Sequence, residues 1–190
     1  MPTTERDGMK PGKERPTDLV IRPAETGDMD GVERLFLAAI ARMREQGIEQ
    51  WDEIYPTRAH LEEDRSEGSL RIVEREGRMA AAVTLNETPC EEYDGIPWRL
   101  TGSRILYVHR LCVHPDEQGH GIARTVMLRI ERFAAENGYG AIRLDTYAGN
   151  PRAIRLYEGL GYVFVAEMTC RKGRFPCYEK KVTAGSTSGR

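Results

Sequence analysis

The chain has 190 residues, of which 39% are hydrophobic and 31% are charged, and this length and composition fit a single globular domain. Its 28 Lys and Arg residues are balanced by 30 Asp and Glu residues, which leaves a net charge of -2. Such a balance argues against a general nucleic-acid binder, because that binding depends on many cationic contacts with phosphates. The sequence also contains no run of the roughly 18 to 20 apolar residues that a membrane helix needs, so no membrane partner is expected.

The termini and the cysteines lead to further expectations. Residues 1–17 are charged and lack the apolar segment of a secretory signal. The four cysteines are scattered and form no CxxC pair, which favours neither a zinc site nor a disulfide scaffold. We therefore expect a cytoplasmic protein with no bound metal. Residues 1–17 and 184–190 are predicted to be flexible tails on either side of one domain over residues 18–183.

Apolar periodicity predicts an alternation of strands and helices along this domain. The predicted elements, in chain order, are a strand at 19–22, a helix at 29–47, a helix at 57–65, strands at 70–73, 79–85 and 105–113, a helix at 122–137, a strand at 141–146, a helix at 150–159, and strands at 162–168 and 177–182. Asp28 and Thr57 are expected to cap the first two helices. Helices interleaved with strands in this way predict a mixed α/β sheet.

The most informative segment is L-C-V-H-P-D-E-Q-G-H-G-I-A-R at residues 111–124, which is predicted to form a strand, a tight turn and the start of a helix. The first N–H groups of a helix have no intrahelical partner and carry a partial positive charge. Gly119 and Gly121 would let a phosphate oxygen approach this backbone closely, with Arg124 at the rim. The segment therefore predicts a pyrophosphate cradle. The alternative is that the two glycines only shape the turn.

Two motifs resemble those of the GNAT superfamily of N-acetyltransferases. Q-G-H-G-I-A at residues 118–123 is similar to the family pattern Q/R-x-x-G-x-G/A, and N-P-R-A-I-R-L-Y-E-G-L-G-Y at residues 150–162 is similar to N-x-x-A-x-x-L-Y-x-x-x-G-F/Y. The resemblance extends over about residues 19–182. It implies the GNAT fold, an α/β fold with a mixed central sheet, helices on both faces, and a splay between two parallel strands that holds CoA.

The resemblance also implies where acetyl-CoA binds. Backbone N–H groups of residues 118–124 would hold the pyrophosphate, the strand backbone before them would bond the pantetheine arm and the thioester carbonyl, and Asn150 would bond the pantetheine or orient the site. The cofactor-binding residues that follow from it are Leu111, Cys112, Val113, Gln118, Gly119, His120, Gly121, Ile122, Ala123, Arg124, Asn150 and Tyr157.

The chemistry implied by the resemblance is direct attack of an amine on the thioester. Tyr157 would protonate the departing thiolate, and a base would remove a proton from the amine. Two bases stay open. His109 is expected to share a strand face with Leu111 and Val113, and some arylalkylamine acetyltransferases have a His there. Asp145 matches the position of a Glu in some ribosomal-protein acetyltransferases. Either residue could instead be a structural one that bonds its neighbours.

Members of the family usually select the acceptor through the loop between the first two helices, the loop before the long strand and the last hairpin. We therefore predict acceptor contacts from Trp51, Tyr55 and Tyr178. The same segments also supply Glu92, Tyr93, Trp98 and Phe175. Acidic residues in the first loop, at positions 49, 52 and 53, would suit a cationic amine. The alternative is that Trp51 and Tyr55 pack the loop onto the sheet.

The sequence thus predicts an acetyl-CoA-dependent N-acetyltransferase that acts on a primary amine of a small molecule or peptide. Two alternatives remain, an acyltransferase that uses another acyl-CoA and an inactive CoA-binding sensor. The runs G-I-E-Q-W-D-E-I-Y-P at residues 47–56 and H-R-L-C-V-H-P at residues 109–115 resemble a group of bacterial GNAT proteins, but that likeness brings no acceptor with it. A homodimer is compatible with the family, although no interface is visible in the sequence.

Overall fold

The computed structural model describes residues 19–101 and 104–183, so the two expected tails lie outside the described residues. Within those ranges, seven strands form one sheet, flanked by four α-helices. The strands are β1 (Leu19–Pro23), β2 (Leu70–Arg75), β3 (Arg78–Asn86), β4 (Ile105–Val113), β5 (Ala141–Asp145), β6 (Val163–Cys170) and β7 (Gly173–Lys181). The helices are α1 (Met29–Glu45), α2 (Arg58–Ser66), α3 (Ile122–Glu136) and α4 (Pro151–Gly159).

The strands lie in the order β1-β2-β3-β4-β5-β7-β6. Neighbouring strands are antiparallel except β4 and β5, which run parallel and are joined through α3. One core cluster packs α3 and α4 against one face of the sheet, and a second cluster packs α1 and α2 against the other. This arrangement confirms the predicted mixed α/β sheet with helices on both faces. Within the described residues, no helix is both long and apolar enough to cross a bilayer.

The strands β4 and β5 are paired over only part of their length. Their register runs from Ile105 opposite Ala141 to Tyr107 opposite Arg143. Beyond that point β4 continues to Val113, but its pairing with β5 ends. The two parallel strands therefore separate at their carboxyl ends. In sheets with parallel strands, this is the edge where ligands bind.

A bulge interrupts β4 where the two strands separate. On the side of β3, His109 lies opposite Thr84 and Cys112 lies opposite Ala82, so two residues of β4 face one residue of its neighbour. Arg110 occupies the bulge with a φ of 52°, in the left-handed region that L-residues seldom adopt. The extra residue shifts the alternation of side chains along the rest of the strand.

This shift decides which face His109 occupies. Its ring stacks on Tyr107, with ring centres 6.1 Å apart, while Leu111 and Val113 pack against the core on the side of α3. The prediction that His109 shares a face with Leu111 and Val113 is therefore wrong. A regular strand would satisfy it, but the bulge at Arg110 reverses the alternation between residues 109 and 111.

Two local predictions also differ from the structure. The last strand begins at Gly173 rather than at residue 177. Pro176 is accommodated in it because it lies past the end of β5, where its carbonyl oxygen accepts a hydrogen bond from the N–H of Thr146. Asp28 makes no side-chain cap at α1. Its carboxylate instead accepts hydrogen bonds from Arg22 and from the backbone N–H of Glu25. Thr57 does form the expected cap of α2.

Candidate active site

A cavity of about 560 Å³ lies where β4 and β5 separate. It is bounded by α1 and the segment that follows it, the end of β4, the turn before α3, and α4. Most of the predicted cofactor residues line it, namely Leu111, Cys112, Val113, Gln118, Gly119, Gly121, Ile122, Ala123, Arg124, Asn150 and Tyr157. His120 is exposed and is not among the lining residues. The structure thus brings both sequence motifs to one cavity.

Part of the cavity wall comes from the first half of the chain, which the sequence analysis did not assign to it. Ala39 and Met43 face it from α1, Gln46 faces it from the C-cap of that helix, and Ile48 and Gln50 face it from the following segment. The first three residues recur at spacings of four and three, which is the signature of one helix face. Sequence periodicity marks that face as apolar, but it does not distinguish a core face from a cavity wall.

The turn before α3 has the geometry of an anion site. Gly119 and Gly121 have φ values of 84° and 79°, in the left-handed region that glycine adopts without strain. The N–H of Thr125 donates a hydrogen bond to the carbonyl oxygen of Gly121, at 3.0 Å. The N–H groups of residues 122–124 precede it and have no partner within the helix. The turn therefore presents several N–H donors and the positive end of the helix dipole at one edge of the cavity.

Tyr157 of α4 and Asn150, the N-cap of that helix, also line the cavity. Tyr157 is 7% exposed, and burial raises the pKa of its phenol, with a further contribution from the charge of Asp145. The hydroxyl therefore stays protonated at neutral pH. Asn150 caps α4 by accepting from the N–H of Ala153 at 3.2 Å. Its amide also donates to Gln50 at 2.9 Å, which ties the start of α4 to the segment after α1.

Asp145 lies at the end of β5, on the face opposite α3 and α4. Its carboxylate accepts a hydrogen bond of 2.6 Å from the hydroxyl of Tyr93. Burial raises the pKa of Asp145 to about 6, and this hydrogen bond acts in the opposite direction. Tyr93 is 3% exposed and was assigned by sequence only to the acceptor region. Its partnership with Asp145 joins segments 52 residues apart, so no local pattern could indicate it.

His109 belongs to the same cluster of side chains. Its ring lies 6.3 Å from that of Tyr93 and is nearly parallel to it. Burial lowers the pKa of His109, while a hydrogen bond with the backbone of Thr88 acts to raise it. Of the two candidate bases, His109 is therefore bonded to the backbone of Thr88. Asp145 accepts from the hydroxyl of Tyr93 through one carboxylate oxygen, and its second oxygen takes no part in that bond.

The three predicted acceptor residues do not lie together. Trp51 is 8% exposed, packs on Phe36 with ring centres 5.3 Å apart, and lines the cavity. Tyr178 is 2% exposed and belongs to the core beside α3 and α4. Its neighbour Cys177 lies opposite Asp145, so the side chain of Tyr178 lies on the other face of the sheet from Asp145. We therefore withdraw Tyr178 as an acceptor contact. Tyr55 is the one of the three that remains partly exposed, and the charge of Asp145 contributes to raising the pKa of its hydroxyl.

Two of the three acidic residues of the loop after α1, Asp52 and Glu53, are already paired. Asp52 forms salt bridges with Arg171 at 2.7 Å and Lys172 at 3.3 Å, and the hydrogen bond from Arg171 is the main cause that lowers its pKa. Glu53 pairs with Arg44 at 2.5 Å. Neighbouring cations thus offset most of the negative charge that was predicted to attract a cationic acceptor to this loop. Asp52 instead joins the loop to the turn between β6 and β7.

The sequence profile of the Acetyltransferase (GNAT) family matches residues 33–162 of this chain. The chain belongs to the GNAT acetyltransferase family. Among curated proteins, it is 32% identical over 72 residues to the L-amino acid N-acyltransferase MnaT of Escherichia coli K12, a match that covers 37% of this chain and 42% of that protein. The chain spans less than half the length of the first curated relatives that it matches.

Solved GNAT structures show the same fold. A GNAT-family acetyltransferase from Streptococcus agalactiae superposes with a TM-score of 0.78 at 24% identity, over 87% of this chain and 96% of that one. A Salmonella typhimurium acetyltransferase, solved with its cofactor acetyl-CoA, superposes with a TM-score of 0.64 at 16% identity, over 91% and 99% of the two chains. The family resemblance carried by the two sequence motifs is thereby confirmed.

Proposed function

We propose that this chain is an acetyl-CoA-dependent N-acetyltransferase that transfers an acetyl group directly to a primary amine. The observation that carries the proposal is the cavity at the separation of β4 and β5. It combines an N–H-rich turn suited to a pyrophosphate with a protonated tyrosine in its wall. The acetyl-CoA in the related Salmonella typhimurium structure supports the same choice of acyl donor.

The residues present fit such a donor. Both glycines of the turn hold left-handed φ values, and an L side chain there would be strained. The N–H groups of residues 122–124 would bind the pyrophosphate, and the end of β4 would bond the pantetheine arm through its backbone on the side that β5 leaves free. Acetyl-CoA supplies the thioester-activated acetyl group. The general base and the general acid are both side chains of this chain.

We assign the base to Asp145. With a pKa of about 6, its carboxylate is ionised at neutral pH and more basic than an ordinary aspartate, as a general base requires. The proton leaves the ammonium group of the acceptor for Asp145, the amine nitrogen then bonds the acyl carbon, and the carbon–sulfur bond breaks. Tyr157 gives its proton to the departing sulfur and regains one from the nitrogen, which loses its second proton as it becomes an amide. His109 is held by the backbone of Thr88 and shapes the site.

The function is tested by following release of free thiol from acetyl-CoA across a panel of amines. Thiol release with at least one primary amine, together with an acetylated product seen by mass spectrometry, is the expected result. Tight binding of CoA without thiol release for any amine would favour the sensor alternative. Faster turnover with a longer acyl-CoA than with acetyl-CoA would favour the other acyltransferase.

Tyr157→Phe is expected to lower kcat by roughly 100-fold, because general acid catalysis contributes on the order of 10²- to 10⁴-fold. The affinity for acetyl-CoA should change little, since the ring remains. Steady-state kinetics and calorimetry separate the two effects. Tyr162→Phe is the matched control, because Tyr162 packs 5.9 Å from Tyr157 but does not line the cavity. An unchanged kcat in Tyr157→Phe would mean that water protonates the sulfur.

Tyr93→Phe is expected to move the acidic limb of the kcat/KM–pH profile to higher pH by about one unit. The Tyr93 hydroxyl stabilises the ionised form of Asp145, so its loss raises the pKa of that base further. Tyr107→Phe is the control, because Tyr107 lies in the same aromatic cluster but its hydroxyl accepts from Arg143. A limb that stays in place in Tyr93→Phe would disprove this positioning role.

A further inference from the structure

Arg110, the residue in the bulge of β4, has a guanidinium group with one unused edge. The side chain is 16% exposed, which is unusual for an arginine. Its Nη1 donates to Asp64 at 2.5 Å, and its Cζ lies 5.1 Å from the ring centre of Tyr55. Its Nε is buried and has no hydrogen-bond partner among the described residues. A buried N–H without an acceptor is costly unless a ligand supplies one.

The surroundings of Arg110 hold the guanidinium in place. Asp64 is 6% exposed, and the same oxygen that accepts from Arg110 also accepts from the hydroxyl of Thr84 at 2.8 Å. This double contact fixes the carboxylate of Asp64, which in turn fixes Nη1. The Nε edge of Arg110 therefore keeps one orientation, as a preorganised binding group requires.

Two chains of side-chain interactions connect Arg110 with the proposed base. Tyr55 contacts Arg110 and is influenced by the charges of both Arg110 and Asp145. A second connection runs through His109, the neighbour of Arg110 in the chain, whose ring stacks on Tyr93. Tyr93 in turn bonds Asp145. A fixed cation and a proton-accepting carboxylate thus belong to one small group of side chains.

Most acidic side chains around this group are engaged by basic ones, although the exposed Glu92, whose charge acts on Asp145, forms no salt bridge within the described residues. Asp52 and Glu53 are both engaged in salt bridges with basic side chains, and Asp64 is engaged by Arg110. Among these three side chains and Asp145, only Asp145 has no salt bridge in the described part of the chain. One carboxylate that accepts a proton and one cationic edge that lacks an acceptor match a substrate with one amino group and one carboxylate.

We propose that the Nε edge of Arg110 binds a carboxylate of the acceptor, and that the acceptors are small amino carboxylates such as amino acids; this inference rests on the acetyl transfer proposed above. Arginine suits the role because its planar fork matches a carboxylate. With the carboxylate on Arg110, the amino group of the acceptor is directed towards Asp145. Arg110 thereby selects the substrate, and Asp145 prepares it for acylation.

The first test uses the unaltered protein and sets of three matched acceptors. For each side chain the set holds the amino acid, its amide and the amine without the carboxyl group, for example leucine, leucinamide and isoamylamine. The expected kcat/KM is roughly 10- to 100-fold higher for the amino acid than for the other two. The amide has the less basic amine, which is more often neutral at pH 7, so amine ionisation cannot produce a preference of the amino acid over the amide.

The outcomes separate the two proposals. Equal rates within each set, or a preference for the amide, would overturn the role of Arg110 while leaving the acetyl transfer intact, and a preference for the amide would indicate a peptide acceptor. No thiol release with any amine, despite binding of acetyl-CoA, would overturn the proposed function and this inference with it. A preference for the carboxylate supports both.

A variant then links the preference to Arg110. Arg110→Lys keeps the charge beside Asp64 but removes the planar fork, and it is expected to lower kcat/KM for the amino acid by about tenfold or more, with the amide little affected. Arg104→Lys is the matched control, because Arg104 also pairs with a carboxylate and stacks on a tyrosine, at 4.4 Å from the Tyr139 ring. Circular dichroism confirms that both variants are folded. Equal losses for acid and amide in Arg110→Lys would contradict the assignment.

Discussion

Gly121→Glu is expected to weaken the binding of acetyl-CoA by at least about 100-fold while the protein stays folded. Gly121 is the N-cap of α3, and a glutamate there would place a carboxylate among the N–H groups that would hold the pyrophosphate. Two like charges about 4 Å apart repel by about 4 kcal/mol at an effective dielectric constant of roughly 20. A loss of that size is roughly 1000-fold in affinity. Isothermal titration calorimetry with acetyl-CoA measures it.

Gly138→Glu is the matched control for this variant. Gly138 follows the other end of α3 and has a φ of 74°, close to the 79° of Gly121, so both substitutions carry a similar backbone strain of about 1 to 2 kcal/mol. Gly138 does not line the cavity, and its substitution should leave the affinity unchanged. Equal affinity in the two variants would contradict the placement of the pyrophosphate at this turn.

Asp145→Asn is expected to lower kcat/KM by roughly 10²- to 10⁴-fold, because an amide cannot accept the proton of the amine. The shape of the side chain is kept, and its carbonyl oxygen can still accept from Tyr93, so the fold should be retained. In the unaltered protein, activity should rise with pH as Asp145 loses its proton at a pH of about 6. The variant should lack this limb. Initial rates from pH 5 to pH 9 measure both effects.

His109→Gln distinguishes between the two candidate bases. Its side chain retains a hydrogen-bonding group towards Thr88, the backbone partner of His109, and the variant should keep the acidic limb near pH 6. Loss of that limb in His109→Gln, with its retention in Asp145→Asn, would reverse the assignment. Retention in both variants would mean that neither residue is the base.

Much of the fold follows from patterns in the sequence. The order of strands and helices is visible because each element carries its own apolar period. The position of β7 between β5 and β6 is not visible, since antiparallel pairing depends on contacts between distant segments. The start of β7 is equally hard to predict, because a proline within a run argues against a strand. Pro176 is tolerated only because β5 ends before it, so no bond between these two strands needs its missing N–H.

The candidate site, like the fold, could be predicted only in part from the sequence. Gly119 and Gly121 predict the turn because glycine is the residue that left-handed backbone prefers. The bulge at Arg110 has no such signal, since a non-glycine residue occupies its left-handed position. The sequence therefore assigned His109 to the wrong face and gave Arg110 no role. Tyr93 was named only as one aromatic of the acceptor region, because its bond to Asp145 exists only in the folded chain.

The most direct test of the account is a crystal structure of the protein with CoA. We predict that the pyrophosphate accepts hydrogen bonds from the N–H groups of residues 122–124 and that the pantetheine arm lies along β4 where it leaves β5. The sulfur should end near the hydroxyl of Tyr157, with the thioester directed towards Asp145. A pyrophosphate bound away from this turn, or a sulfur directed away from both Tyr157 and Asp145, would contradict the account.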